Sequence, residues 1–127
     1  MEAKTHISDL HSEHTEWLNK LAFTKDEIQS FNNRLAEVIK ANNTIEVAAN
    51  VEHFQNQFIR QREVIDELRH EIKQYENSLI MQVEANPVAS DHRIVVDHPG
   101  LRDQMETFER IYAELKIEFN HFLSKTL

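Results

Sequence analysis

Histidine is the residue type through which this chain could do chemistry. The chain has eight histidines among 127 residues, and it has no cysteine. Cysteine nucleophiles, disulfides and cysteine-based zinc sites are therefore excluded, and no Gly-rich serine elbow or phosphate loop is present. Imidazoles and carboxylates can still hold zinc, iron or manganese, and an imidazole titrates at about pH 6.5. Metal binding and pH sensing are the chemistries to consider.

Two glutamate–histidine pairs have a spacing that metal ligands use in helical bundles. They are Glu67 with His70 and Glu118 with His121. In ferritin-like carboxylate bundles, a Glu-x-x-His pair places a carboxylate and an imidazole on one inward face. Here the neighbouring apolar residues take the inward positions. The heptad pattern therefore predicts that both histidines point outward.

His14 is different, because it lies on the apolar stripe of the first predicted helix. A core histidine is usually a structural residue that hydrogen-bonds a neighbouring side chain. Glu71, Tyr75 and Tyr112 are the neighbours that we expect. The alternative is a site for zinc, iron or manganese. Its candidate ligands are His11, His14, His70, Glu71 and His121.

The stretch at residues 10–17, which contains His14 and Trp17, is similar to the first ligand helix of hemerythrin-type domains. It also resembles the His-x-x-Trp stretch of chemoreceptor zinc-binding domains. Either resemblance implies a metal-binding bundle. The later hemerythrin-type pairs are not matched, because Gln57 follows His53 where a glutamate or histidine is needed, and the chemoreceptor cysteine is absent. We assign the chain to neither family.

Two Asp-His dipeptides, at residues 91–92 and 97–98, lie in the one long connection of the chain. They could form a small surface metal site. The alternative is that the aspartates are turn and capping residues beside exposed imidazoles.

The elements that position these residues are long helices. One Gly and two Pro in the whole chain leave little to interrupt a helix. Apolar residues recur at alternating steps of three and four, as in a coiled coil. This pattern predicts helices over about residues 6–41, 45–85 and 99–126, with a connection at 86–98. The expected fold is a single all-α domain, an antiparallel three-helix bundle made of a long hairpin and a shorter third helix.

The short turn between the first two helices determines which residues face each other. Val38 should face Val47, and Ile7 should face Leu79. The same register places Thr24 opposite Gln61, two of the few polar residues on the stripes. We expect them to form one buried polar layer that specifies the register at some cost in stability.

The third helix looks too short to cover the whole hairpin. At 1.5 Å per residue it is about 43 Å long, against about 55 Å for each of the others. If it begins level with the end of the second helix, the hairpin tip is covered by two helices only. Either the connection lowers the third helix, or a second copy covers the tip. We favour the homodimer. Its predicted contact residues are Phe31, Leu35, Val51 and Phe54.

Charge and hydropathy exclude several functions. The net charge of −8 disfavours binding to nucleic acid. No apolar stretch of about 18 residues is present, so we expect no membrane span, and the first residues lack the apolar core of a signal peptide. We therefore expect a soluble, cytoplasmic protein.

The leading hypothesis is a non-enzymatic interaction protein that binds a second copy of itself or another helical protein. The alternative is a histidine- and glutamate-based metal-binding bundle that acts as a sensor, a carrier or a hemerythrin- or ferritin-like oxidoreductase. A third hypothesis is a pH-responsive module, in which the burial of His14 makes stability depend on mild acid.

Overall fold

The chain folds as a helical hairpin with a third helix packed beside it. The computed structural model describes residues 4–85, 94–96 and 99–126. Helix α1 spans Ile7–Ala41, α2 spans Ile45–Ala85 and α3 spans Pro99–Thr126. These limits lie within one residue of the expected ones. The predicted all-α three-helix bundle is confirmed. The Asp-His dipeptides of the connection lie outside the described residues.

The hairpin turn is closed by hydrogen bonds at both of its ends. The Asn42 N–H donates to the Val38 carbonyl over 2.9 Å and ends α1. The Thr44 hydroxyl accepts a hydrogen bond of 3.3 Å from the Val47 N–H, which satisfies one of the unpaired donors at the start of α2. The chain therefore reverses within three residues, and α2 packs back along α1.

The two heptad stripes form the core between α1 and α2. Their residues are buried or nearly so along the whole hairpin. A small separate cluster of Ile7, Leu10 and Leu79 lies at the open end, with Tyr75 and Val83 against it. The residues that the heptad pattern assigned to the core are thus the ones that are buried, because side chains three and four apart share one helix face.

A two-stranded sheet, which the sequence pattern did not predict, ties the chain start to the connection. Strand β1, Lys4–His6, pairs antiparallel with β2, Ile94–Val96, so that Thr5 lies opposite Val95. Strand β1 leads directly into α1, and β2 ends shortly before α3. The pairing therefore brings the starts of α1 and α3 together, and α3 runs parallel to α1.

Five phenylalanines at the hairpin tip join all three helices. Phe31 of α1 lies 4.8 Å from Phe119 of α3 between ring centroids, and Phe54 of α2 lies 5.2 Å from Phe122 of α3. Phe58 completes the cluster against Phe119 at 5.2 Å. Aromatic ring pairs at these separations stabilise the fold by more than the burial of their surface area alone. Helix α3 therefore covers the tip.

The expectation of an uncovered tip is wrong. Leu35, Val51 and Phe54 are buried within one chain, and Phe31 is half-buried against Phe58 and Phe119. These four side chains do not form a free surface for a second copy. The length argument left the tip uncovered only if α3 begins level with the end of α2, and its other solution was a third helix that begins lower along the hairpin. The structure places the start of α3 one heptad or more farther along the hairpin, beside Glu13.

Candidate functional site

Three ion pairs, spaced one heptad apart, connect α1 to α3. Arg102 lies 2.7 Å from Glu13, Glu109 lies 3.7 Å from Lys20, and Lys116 lies 3.0 Å from Glu27, measured between the closest nitrogen and oxygen atoms. The six residues occupy the positions that flank the apolar seam in a parallel coiled coil, where such pairs set partner and orientation. We call this set the charge ladder.

The order of charges in the ladder selects one register for α3. Going towards the tip, α1 presents Glu13, Lys20 and Glu27, which alternate in sign. A slip of α3 by one heptad in either direction would set like charges opposite each other, for example Glu109 opposite Glu27. Like-charge juxtaposition is destabilising. The ladder therefore helps to explain why α3 reaches the tip.

A groove runs along the outside of the bundle between α1 and α3. Both α1 and α3 pack mainly on α2, and their own contact is less close. The groove has a volume of about 630 Å³. Its floor is formed by side chains that are buried in the bundle core: Thr24, Met105, Phe108 and Tyr112. We call it the α1–α3 groove.

Phe23 stands at the edge of this groove and is 67% exposed. It also lines a second hollow that continues along α1 past Asp26 and Glu27 to Phe31. Hydrophobic residues are common on protein surfaces one at a time. A large exposed ring beside an apolar floor and a charged rim, however, has the composition of a protein interface, in which aromatic anchors lie within a polar border.

The electrostatics of the groove are dominated by carboxylates. Lys20 lies between Glu109 and Glu16, and both carboxylates raise the pKa of Lys20, Glu109 most strongly. Tyr112 donates a hydrogen bond of 2.6 Å to Glu27. Burial of the phenol, and then the Glu27 carboxylate, raise the pKa of Tyr112 well above its ordinary value. Tyr112 therefore stays neutral and keeps its hydrogen bond.

A second constellation lies between α1 and α2, where two histidines bind one carboxylate. The Nδ1 atoms of His11 and His14 lie 2.8 Å and 2.5 Å from the two oxygens of Glu76. An ionised carboxylate can only accept hydrogen bonds, so each Nδ1 carries the proton. His14 is 1% exposed, packs on the rings of Trp17 and Tyr75, and has no partner for its Nε2 within the described residues.

Glu76, and not the expected Glu71, is the carboxylate at His14. Helical side chains lean towards the N-terminus of their own helix. In this antiparallel pair the side chains of α1 therefore lean away from the turn and those of α2 lean towards it, so a side chain of α1 meets an α2 residue that lies farther from the turn than the facing one. His14 faces Ile72 on the seam. Glu76 lies one helical turn beyond Ile72, and its side chain extends back towards the turn to reach His14. Of the other expected neighbours, Tyr75 is in contact, whereas Tyr112 binds Glu27.

The five candidate metal ligands do not come together. Only His11 and His14 share a location. Glu71 is exposed and lines a shallow hollow with Leu101, His70 is exposed on α2, and His121 lines a hollow at the hairpin tip. Within the described part of the chain, no three histidine or acidic side chains have an arrangement that could hold a metal ion.

Thr24 and Gln61 are both buried, as the predicted polar layer requires. Thr24, however, donates its hydroxyl hydrogen to the Lys20 carbonyl of its own helix over 2.8 Å. The two side chains also line different grooves, Thr24 the α1–α3 groove and Gln61 a groove of about 550 Å³ between α2 and α3. The two residues lie at the same height along the bundle, but their side chains border different surface grooves.

Comparison with known proteins returns no relative: no family model, no curated protein and no solved structure matches the chain. Across the described residues, no helix has the length and apolar character needed to cross a membrane. The class of protein is therefore given by the fold alone, a three-helix bundle with an apolar groove between two parallel helices.

Sequence reasoning missed the ladder, Phe23 and Glu76. The ladder left a signal, because Glu13, Lys20 and Glu27 recur every heptad beside the seam and have oppositely charged counterparts on the third helix. Phe23 left another, since it is a large aromatic residue outside the seam. Glu76 left none, because its contact depends on how the side chains lean between two helices.

Proposed function

We propose that this protein is a non-enzymatic interaction module that binds a helix of another protein in the α1–α3 groove. The observation that carries the proposal is Phe23, a two-thirds exposed ring at the edge of an apolar floor. A helix laid along two parallel helices buries such a face and completes a four-helix arrangement.

The dimensions of the groove suit a helix. From Ser12 to Thr24 it follows α1 for about 18 Å, and with the hollow that ends at Phe31 it follows α1 for about 28 Å. A partner segment of three to five turns would fill it. Glu16 of α1 and Glu109 of α3 line the groove from its two sides, so the bound helix would contact both walls.

The occupant in this proposal belongs to another protein. The hairpin tip, on which the expected homodimer depended, is covered by α3. Two copies of a chain with a net charge of −8 also repel each other. The proposal therefore does not use self-association through Phe31 and Phe54.

A photo-crosslinking experiment tests the proposal. A benzophenone amino acid replaces Phe23 in one variant and Ile117, a 70% exposed residue of α3 outside the groove, in the control. Both proteins are irradiated in the cells that make them. We expect one protein to be crosslinked from position 23 only, through a helical segment. The purified pair should then bind in calorimetry, and Phe23→Asp should abolish binding while Ile117→Asp does not.

Three results would contradict the proposal. One is equal crosslinking from both positions, which indicates collision without a site. Another is a crosslink from position 23 to a second copy of this chain, which identifies a dimer interface. The third is a purified pair whose affinity is unchanged by Phe23→Asp.

A further inference from the structure

The charges around the α1–α3 groove indicate what kind of helix it accepts. The ladder itself is neutral, because Glu13, Lys20 and Glu27 each have an opposite charge on α3. Two further acidic residues of α1 line the groove and the hollow that continues it, namely Glu16 and Asp26. Among the residues that the structure describes, no additional lysine or arginine lines either of them.

Lys20 does not offset this surplus. Its ammonium lies 3.4 Å from Glu16 and 3.7 Å from Glu109, so one positive charge is shared by two carboxylates. The α1 side of the groove is therefore negative on both sides of Phe23. This local charge has the same sign as the net charge of the chain, −8, which adds to the field at longer range.

We infer that the partner is a basic amphipathic helix, with apolar residues on one face and lysine or arginine along the border of that face. The inference rests on the proposed function of the groove and adds the chemistry of the ligand. The apolar face covers Phe23 and lies over the groove floor, where Phe108 and Met105 are already buried in the bundle core. The lysine or arginine side chains of the partner lie next to Glu16 and Asp26. Attraction between these opposite charges speeds association, and repulsion by the two carboxylates excludes acidic helices.

Synthetic helices of about 18 residues provide the test, a length that matches the groove and its continuation at 1.5 Å per residue. One peptide carries a leucine and phenylalanine stripe bordered by lysine. A second has the same stripe bordered by glutamate, and a third has the composition of the first in scrambled order. Binding to the full chain is measured by the fluorescence anisotropy of labelled peptide at low and at high salt.

We expect the lysine-bordered peptide to bind at least about tenfold more tightly than the other two, and more weakly at high salt. Phe23→Asp should weaken its binding about tenfold or more, and Ile117→Asp should not. The double variant Glu16→Gln and Asp26→Asn should weaken it about threefold or more. The matched double variant Glu52→Gln and Glu84→Gln removes the same charge from exposed positions of α2 and should have little effect.

The outcomes separate this inference from the proposed function. If the lysine and glutamate peptides bind equally and Phe23→Asp weakens both, the groove accepts helices and the charge inference is overturned. If the two double variants have equal effects, net charge and not the groove attracts the peptide, which also overturns it. If the scrambled peptide binds as well as the striped one, or if no peptide binds, the proposed function fails together with the inference.

Discussion

Arg102 of α3 donates two hydrogen bonds to the carboxylate of Glu13 on α1, from Nε over 3.1 Å and from Nη2 over 2.7 Å. Such a paired contact requires the planar guanidinium to meet the carboxylate in one orientation. It lies near the start of α3 and is the first member of the charge ladder. Since both side chains are partly exposed, we expect it to contribute more to the placement of α3 than to total stability.

Reversal of the charge at Arg102 should therefore be repaired by the complementary change. We expect Arg102→Glu to lower the free energy of unfolding by about 1 kcal/mol, because two carboxylates then meet. The double variant Glu13→Arg with Arg102→Glu should recover most of that loss. Arg110→Glu, which disturbs an exposed pair within α3, is the control. Urea unfolding followed by circular dichroism measures all four proteins, and a double variant no more stable than Arg102→Glu would contradict the ladder.

Removal of a ring from the tip cluster should destabilise one chain without changing its association. Phe54→Ala leaves a cavity among Phe58, Phe119 and Phe122, and we expect a loss of about 3 kcal/mol. The exposed Ile45 at the same end provides the control, Ile45→Ser, with little change. Urea unfolding and light scattering give stability and molar mass. An unchanged stability with a lower molar mass would show instead that the tip is an interface.

His14 and His11 bind the same carboxylate but should differ in their effect on stability. His14 is buried between Trp17 and Tyr75, so His14→Ala should cost about 2 kcal/mol through the cavity and the lost hydrogen bond. His11 is exposed, and His11→Ala should cost less than about 0.5 kcal/mol. His14→Leu keeps most of the volume and should fall between them. Equal losses at the two positions would assign the stabilisation to Glu76 and not to burial.

The metal-binding alternative predicts stoichiometric metal, and we expect none. Both Nδ1 atoms are engaged by Glu76, and the remaining nitrogen of His14 is buried in the core. Added zinc, iron or manganese should therefore leave the melting temperature of the purified protein unchanged. A stoichiometric metal content that falls in both His11→Ala and His14→Ala would establish the alternative.

Tyr112 should make the protein less stable in alkali. Its pKa is raised in the folded state, mainly by burial and then by Glu27, whereas an unfolded tyrosine ionises at about pH 10. The stability that this shift contributes is complete below about pH 10. Above that pH only the unfolded state loses the proton, so the free energy of unfolding falls as the pH rises towards the folded pKa.

Replacement of the phenol by Tyr112→Phe isolates this effect. Between pH 8 and pH 11 the variant should lose about 1 kcal/mol less of its free energy of unfolding than the native chain. Lysine titration affects both proteins alike and cancels in the comparison. Parallel losses in urea unfolding at the two pH values would show that Tyr112 ionises freely in the folded protein.

The heptad pattern determined the helices, the core between α1 and α2 and the outward direction of His70 and His121. It could do so because a helix face is a local property: residues three and four apart share it whatever else the chain does. The burial of His14, Thr24 and Gln61 followed from the same spacing.

Only the tertiary structure decided where α3 lies along the hairpin, and with it the tip, the ladder and the groove. That position depends on the pairing of β1 with β2, on ion pairs between residues far apart in the chain and on aromatic contacts among three helices. Helix length alone carries none of this information. The contact between His14 and Glu76 was decided in the same way, because the lean of side chains across two packed helices selects a partner one turn away from the facing residue.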